Sequence, residues 1–154
     1  MSYLDDLALF PLLRDQGQAS WSRYVEHDFV ARLADGSLPE AAFRHYLGQD
    51  YLFLIHFSRA YALAASKADT LSEMRVAAAG MSAIVDTEMP LHVDYCAGWG
   101  LDEAAMEALP EASATLAYTR YVLAQGGQGD LLDLYVALAP CVIGYGEIGA
   151  RLAV

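Results

Sequence analysis

The stretch from Ser37 to Lys67, SLPEAAFRHYLGQDYLFLIHFSRAYALAASK, constrains the fold more than any other part of the chain. It reads as one helix about 45 Å long at 1.5 Å per residue. Asp35-Gly36 makes a turn before it, and Ser37 precedes Glu40 by the three residues of a capping box, with Pro39 tolerated in the first turn. Stepping about 100° per residue places Phe43, Tyr46, Leu47, Leu54, Phe57 and Tyr61 on one buried stripe. Asp50 falls near the middle of that stripe. A buried carboxylate costs several kcal/mol unless it is paired or hydrogen-bonded. Asp50 therefore needs a partner, which is either a buried Arg, Tyr or helix end, or a ligand.

The rest of the chain repeats the helical period. Trp21, Tyr24, Val25, Phe29 and Leu33 recur at helical spacing and predict a helix over 18–33, after a short apolar start (4–13) broken by Pro11. Asp69-Thr70 opens the next helix, with a second capping box from Thr70 to Glu73. This helix runs to about Ala97, is kinked or locally broken at Pro90, and is stopped by Gly98 and Gly100. A helical turn over 102–108 ends at Pro110, and a helix over 111–125 stops at Gly126-Gly127. Asp130 caps the last helix, which contains Gly144, Gly146 and Gly149; glycines inside a helix usually mark a close approach of backbone or ligand. No alternating strand pattern, repeat or low-complexity segment interrupts this order. The expected class is all-α, in a single domain over 1–154.

Composition limits the function. Twenty acids against nine bases give a net charge of −11, which argues against a nucleic-acid partner, since that needs a basic face. No run of about 18 apolar residues lacks polar breaks, so no membrane-spanning helix is expected. The acidic start at Asp5-Asp6 is unlike a secretory leader. Cys96 and Cys141 lie 45 residues apart with no metal-type spacing, which reads as reduced thiols and a cytoplasmic location.

Several residues carry possible chemistry. The two oxygens of Asp50 suit an N–H…N or N–H…N–H edge, as they suit Arg, and an aminopyrimidine offers that kind of edge. Phe53, one turn on, is placed to stack on a ring held there. Cys141 shares a helix with Leu134, Leu138, Tyr145 and Ile148 close to the same face. A buried Cys is usually a small hydrophobe. As a nucleophile it needs its thiolate favoured and a route for substrate, for which Tyr145 and the glycines offer a hydrogen bond and room. Tyr118, Tyr121, Tyr135 and Tyr145 read mainly as packing, with a minority lining a pocket. Glu88 and His92, four apart across Pro90, read as a side-chain pair or half a metal site; a di-iron bundle needs two Glu-x-x-His pairs that the chain lacks. His27 is a conceivable axial haem ligand. His45 and His56 fall on the polar face of their helix and receive no role.

Four stretches together resemble a known family. FRHYLGQDYLFLIHFSRAYALAASKA resembles the signature helix of the TenA-type thiaminase II (aminopyrimidine aminohydrolase) family. DTEMPLHVDY with its Glu and His, ATLAYTRYVL with its Tyr, and ALAPCVIGYGEIGARL with its Cys-x-x-x-Tyr follow in the family's order, between about Phe43 and Leu152. The resemblance implies the all-α fold shared with haem oxygenases, without haem or any other cofactor. It implies hydrolysis of 4-amino-5-aminomethyl-2-methylpyrimidine to the hydroxymethyl pyrimidine and ammonia, in thiamin salvage, with thiamin itself also cleaved. By position, Asp50 matches the carboxylate that holds the pyrimidine, and Cys141 the nucleophile. Tyr145 matches the tyrosine that hydrogen-bonds this cysteine, Tyr118 a pocket tyrosine, and Phe53 a ring-stacking position that is often Tyr. The implied partner is a small aminopyrimidine, and the implied assembly a homotetramer.

The chain departs from this pattern at its end. The apolar period is still running at Val154, so the last helix reads as cut. Family members continue for roughly another third of the fold, with a further pocket tyrosine and the glutamate that protonates the departing amine; Glu147 lies on the wrong helix for that role. The expectation is weak or absent catalysis, and exposed apolar faces that favour self-association.

Overall fold

The computed structural model describes residues 9–153, and all the regular structure among them is helical. It divides into two compact units: residues 1–38 with 139–154, and residues 39–138.

In the first unit, α1 (Leu9–Gln16) carries Pro11 in its opening turn, where no backbone N–H is needed, so the proline does not break the segment. Residues 4–8 of the expected apolar start lie outside the described residues. The helix expected over 18–33 is two helices, α2 (Gln18–Val25) and α3 (Asp28–Ala34). The break comes at His27, which is extended and accepts the Phe29 N–H on its ring, making it the N-cap of α3. His27 is exposed and its Nδ1 is engaged in that cap. The C-terminal part of the unit is a π-helical turn (Pro140–Gly144) followed by α10 (Tyr145–Leu152). Phe10 is buried against the edge of Trp21, and Trp21 against Tyr24. Trp21 donates its indole N–H to Glu147 at 2.9 Å, and Tyr24 donates its hydroxyl to the Pro140 carbonyl at 3.1 Å. Gly144 admits the Tyr24 ring where a Cβ would collide with it, while Gly146 and Gly149 face open space. One glycine of the three therefore serves the close approach expected of all.

The second unit is built around α4 (Glu40–Lys67). Its start differs from expectation. The helix begins at Glu40 with Pro39 as N-cap and no side-chain cap. Ser37 instead gives its backbone N–H to Asp35 in the preceding turn, and the Glu40 carboxylate accepts the Trp99 indole N–H at 2.8 Å. Leu47 and Leu54 are buried as the stripe predicts, but Phe43, Tyr46, Phe57 and Tyr61 are half-buried. Tyr51, Leu52, Ala60 and Ala64 are buried as well, because the helix is covered on more than one side and a single stripe understates its burial. One core cluster joins Leu47, Tyr51, Cys96 and Met106, with Phe43, Tyr46, Met89, Val93 and Trp99 packed around it.

Thr70 forms the capping box with Glu73 as the sequence predicts and starts α5 (Leu71–Ala83). Ahead of Pro90 the chain widens into a π turn (Ile84–Glu88) before α6 (Met89–Ala97). Proline lacks the N–H that a regular ladder needs, and the wide turn accommodates the loss. Asp102 caps α7 (Glu103–Glu107). The next helix, α8 (Ser113–Gln128), runs through Gly126 and Gly127 instead of stopping there, and Gly129 ends it. Gly126 is needed for packing, since a Cβ would lie 2.9 Å from Leu134 and 3.2 Å from Leu63. Asp130 and Asp133 exchange backbone-to-carboxylate hydrogen bonds at the start of α9 (Leu131–Ala139). The helical stretch Leu131–Leu152 is long and apolar enough to cross a membrane by length and composition alone, a test that core helices of soluble proteins also pass. Leu71, Met74, Met81 and Val85 are exposed along α5 and the turn after it.

Candidate functional site

Asp50 has its partner within the chain. Its Oδ2 lies 2.8 Å from Nε2 of His92, with only 10% of the Asp50 side chain and 12% of the His92 side chain exposed. The contact joins α4 to α6. The sequence offers His92 as a side-chain pair for Glu88 or half a metal site, and its other nitrogen does meet Glu88, though through the backbone: Nδ1 is 2.9 Å from the Glu88 carbonyl oxygen. A carbonyl only accepts, so Nδ1 carries a proton. Nε2 then faces a carboxylate that also only accepts, so a second proton lies between them. The pair is an imidazolium against a carboxylate, or the equivalent neutral acid and base sharing that proton.

The electrostatics agree with the geometry. Burial alone would depress the His92 pKa, but the hydrogen bonds to Asp50 and the Glu88 carbonyl and the charges of Asp50 and Glu88 outweigh it, and the net shift is upward from 6.5. The Glu88 carboxyl is also raised, by lost solvation first and by the Asp50 charge second, against the pull of His92. An imidazole whose charged form is favoured thus sits beside two acidic side chains in a partly desolvated place, a common arrangement at functional sites.

Phe53, one turn beyond Asp50, meets Tyr118 of α8 in a stack with centroids 5.9 Å apart and planes 12° from parallel. Phe57 continues the stack at 5.3 Å from Phe53, and Tyr61 follows at 5.0 Å. Tyr118 donates its hydroxyl to the Ala137 carbonyl at 2.9 Å, which ties the ring to α9. The structure therefore brings together Asp50 with His92, and Phe53 with Tyr118, all within the second unit. Cys141 and Tyr145 belong to the first unit. Cys141 lies in the π turn and is buried, 8% exposed, whereas Tyr145 is 43% exposed. Neither Cys96 nor Cys141 is in a disulfide.

His56, expected on a polar face with no role, is 13% exposed in its side chain and lies 3.0 Å from Glu111. Arg120 holds the same carboxylate at 2.6 Å, and Arg59 reaches His56 Nδ1 at 3.0 Å. Burial, then the Arg120 and Arg59 charges, push the His56 pKa down. A cleft of about 480 Å³ lies along α4, lined by Arg44, His45, Gly48, Gln49, Leu109 and Glu111 among others, and Asp50 is not in its lining. Gln49 is engaged there, donating to the Pro110 carbonyl and accepting from Ala112 N–H and Thr115. Glu147 is held by Trp21 and by Arg151, the latter at 2.7 Å.

Comparison with known proteins places this geometry in a family. A family model described as TENA/THI-4/PQQC matches residues 14–154. A Haemophilus influenzae protein with no stated activity is 45% identical over 136 residues, covering 88% of this chain and 63% of the relative. An aminopyrimidine aminohydrolase of Halalkalibacterium halodurans is 38% identical over 140 residues, covering 91% of this chain and 62% of the relative. The crystal structure of a TenA family transcription regulator from Silicibacter sp. TM1040 superposes with a TM-score of 0.90 at 53% identity, covering 94% of this chain and 64% of that one. The chain spans a little under two thirds of the length of each of these three proteins. With a TenA-type all-α fold and a family match over nearly its whole length, the chain belongs to the TENA/THI-4/PQQC family.

Proposed function

We propose that the protein binds an aminopyrimidine through Asp50 and hydrolyses it, converting 4-amino-5-aminomethyl-2-methylpyrimidine and water to 4-amino-5-hydroxymethyl-2-methylpyrimidine and ammonia. Thiamin is the second substrate in this reading. The observation that supports it best is the paired, largely buried Asp50 carboxylate, one turn from the Phe53–Tyr118 stack. The carboxyl group in that setting accepts the exocyclic amino N–H on one oxygen and shares a proton with the adjacent ring nitrogen through the other, which orients the ring and distinguishes it from rings without an amino group.

Cys141 is the nucleophile in this scheme. Its thiolate adds to a ring carbon, and the ring electrons displaced by that bond expel the exocyclic amine. Water then adds at the exocyclic carbon, and the thiolate leaves as the ring regains aromaticity. Tyr145 hydrogen-bonds the thiolate, and Tyr118 and Phe53 bound the ring. The departing amine needs a proton; a positioned general acid contributes typically about 10²- to 10⁴-fold. No cofactor enters the scheme. We further propose a cytoplasmic homo-oligomer, of tetrameric order, supported by the apolar side chains exposed along α5.

Ammonia release and pyrimidine binding, measured on the wild type, Cys141→Ser and Asp50→Ala, test the reading. We expect Cys141→Ser to bind without turnover and Asp50→Ala to lose binding. Equal ammonia release by the wild type and Cys141→Ser overturns the cysteine mechanism. Binding that depends on Asp50 with no turnover in the wild type identifies a pyrimidine- or thiamin-binding module instead.

A further inference from the structure

The π turn that carries Cys141 is held at both ends by one side chain. Tyr24 of α2 donates its hydroxyl to the carbonyl of Pro140, the residue that opens the turn, at 3.1 Å. The same ring covers Gly144, the residue that closes it: a Cβ there would collide with the ring edge and lie 3.2 Å from the hydroxyl oxygen. Both contacts lie within the first unit. π turns are rare single-turn departures from the α-helical ladder, and they frequently lie at functional sites.

We propose that Tyr24 is a positioning residue for Cys141, its hydroxyl setting the aim of the thiol through the Pro140 peptide. The role rests on Cys141 being the nucleophile of the proposed function. The peptide bond supplies the link. The Pro140 carbonyl and the Cα of Cys141 belong to one rigid plane. An oxygen tied to Tyr24 fixes the tilt of that plane. With the helical backbone continuing beyond it, the tilt sets the direction in which the Cys141 Cα–Cβ bond leaves the chain. Tyr24 acts through the backbone and needs no contact with substrate. A nucleophile reacts only from a near-attack position, and a misplacement of about 1 Å costs about 10²-fold in rate. The pyrimidine is bound through Asp50 in the proposed function, so loss of the hydroxyl falls on the chemical step and not on binding.

Tyr24→Phe removes the hydroxyl and keeps the ring against Gly144, so the packing of the unit is retained. Trp21 supplies the control. It lies on the same helix, meets the Tyr24 ring edge-on with centroids 6.0 Å apart, and donates its indole N–H to Glu147 of α10 at 2.9 Å. Trp21→Phe therefore removes a hydrogen bond between α2 and the C-terminal segment without touching the Pro140 peptide.

Two measurements on the full chain test this, with circular dichroism to confirm that both variants are folded. The first uses no pyrimidine. The ¹³C resonance of the Pro140 carbonyl and the ¹⁵N resonance of Cys141 are compared in the three proteins. Both should shift in Tyr24→Phe and keep their wild-type positions in Trp21→Phe. Resonances unmoved in Tyr24→Phe, or moved equally in the two variants, overturn the hold on the peptide and the inference with it. The second measures ammonia release from 4-amino-5-aminomethyl-2-methylpyrimidine. Tyr24→Phe should lower kcat about tenfold or more and leave KM within about twofold of the wild type, while Trp21→Phe keeps both. A kcat unchanged in Tyr24→Phe, or lowered equally in Trp21→Phe, shows a merely structural residue and overturns the inference alone. A wild type that releases no ammonia, or a Cys141→Ser variant that releases it at the wild-type rate, overturns the proposed function, and the role of Tyr24 falls with it, whatever the resonances show.

Discussion

Asp50 was the anomaly of the sequence, and the need for a partner followed from the cost of burying its charge. Which partner it would find was not legible. His92 is 42 residues away, and neither its local pairing with Glu88 nor its place in the family-like stretch DTEMPLHVDY points to Asp50, because a helical period reports neighbours along one helix and says nothing of which helices meet. Tyr51 shows the same limit. It lies beside Asp50 and off the expected stripe, yet it is fully buried, and among the described residues its hydroxyl meets no partner at good hydrogen-bond geometry, the nearby Glu103 carboxylate falling short of one. Burial first, then the charges of Glu103 and Glu107, raise its pKa. A buried unsatisfied hydroxyl costs about 1–3 kcal/mol. Tyr51→Phe should therefore leave the melting temperature unchanged or raise it, and a fall of several degrees in a thermal melt would count against this assignment. Gly144 makes the opposite prediction. A Cβ there collides with the Tyr24 ring, whose hydroxyl is tied to Pro140, so the ring has little freedom to retreat. Gly144→Ala should cost about 1–3 kcal/mol by overpacking, whereas Gly149→Ala, which faces open space, should be neutral or stabilising in urea denaturation.

At the scale of elements, local signals with a full mechanism were read correctly and partial ones were not. The Thr70 capping box formed as predicted, with both halves of the exchange present. The Ser37 box had the same spacing but did not form, because Pro39 occupies the cap position and the preceding turn takes the Ser37 N–H. Thr70→Ala should destabilise the protein by about 1 kcal/mol, while Ser37→Ala should change it by less than about 0.5 kcal/mol; paired thermal melts decide between the two sites. The glycine pair at Gly126-Gly127 was misread as a stop for a related reason. Glycine ends a helix by adopting a left-handed backbone, but it also lets two elements touch, and only the position of Leu134 and Leu63 reveals that the second use applies. The break between α2 and α3 was missed because His27 is an uncommon capping residue and no Ser, Thr, Asp or Asn stands in its place.

For the molecule as a whole, two histidines give stability a defined pH profile. His92 has a folded pKa above 6.5, so its contribution is complete below 6.5 and is lost as pH rises through the folded value. His56 has a folded pKa below 6.5, so folding is penalised as pH falls from 6.5 through its folded value. Their combined contribution is greatest near pH 6.5. Urea midpoints taken across pH should show a maximum there, with His92→Gln flattening the alkaline side and His56→Gln the acid side; a profile unchanged by both variants would remove the two histidines as its cause. The order of helices and the all-α class were legible because one period runs through the chain from end to end. The π turns were not, since a single added residue barely disturbs that period. Yet the turn at Ile84–Glu88 gives the chain a length of slack. It holds one residue more than a regular helix needs between the same two ends. Deleting Asp86 should draw that slack in, leaving α5 and α6 facing as before, whereas deleting Ala79 within α5 turns everything beyond it by about 100°. The first deletion should yield a chain that still melts cooperatively and the second one that does not, making this turn the place where the chain can change length without losing its register.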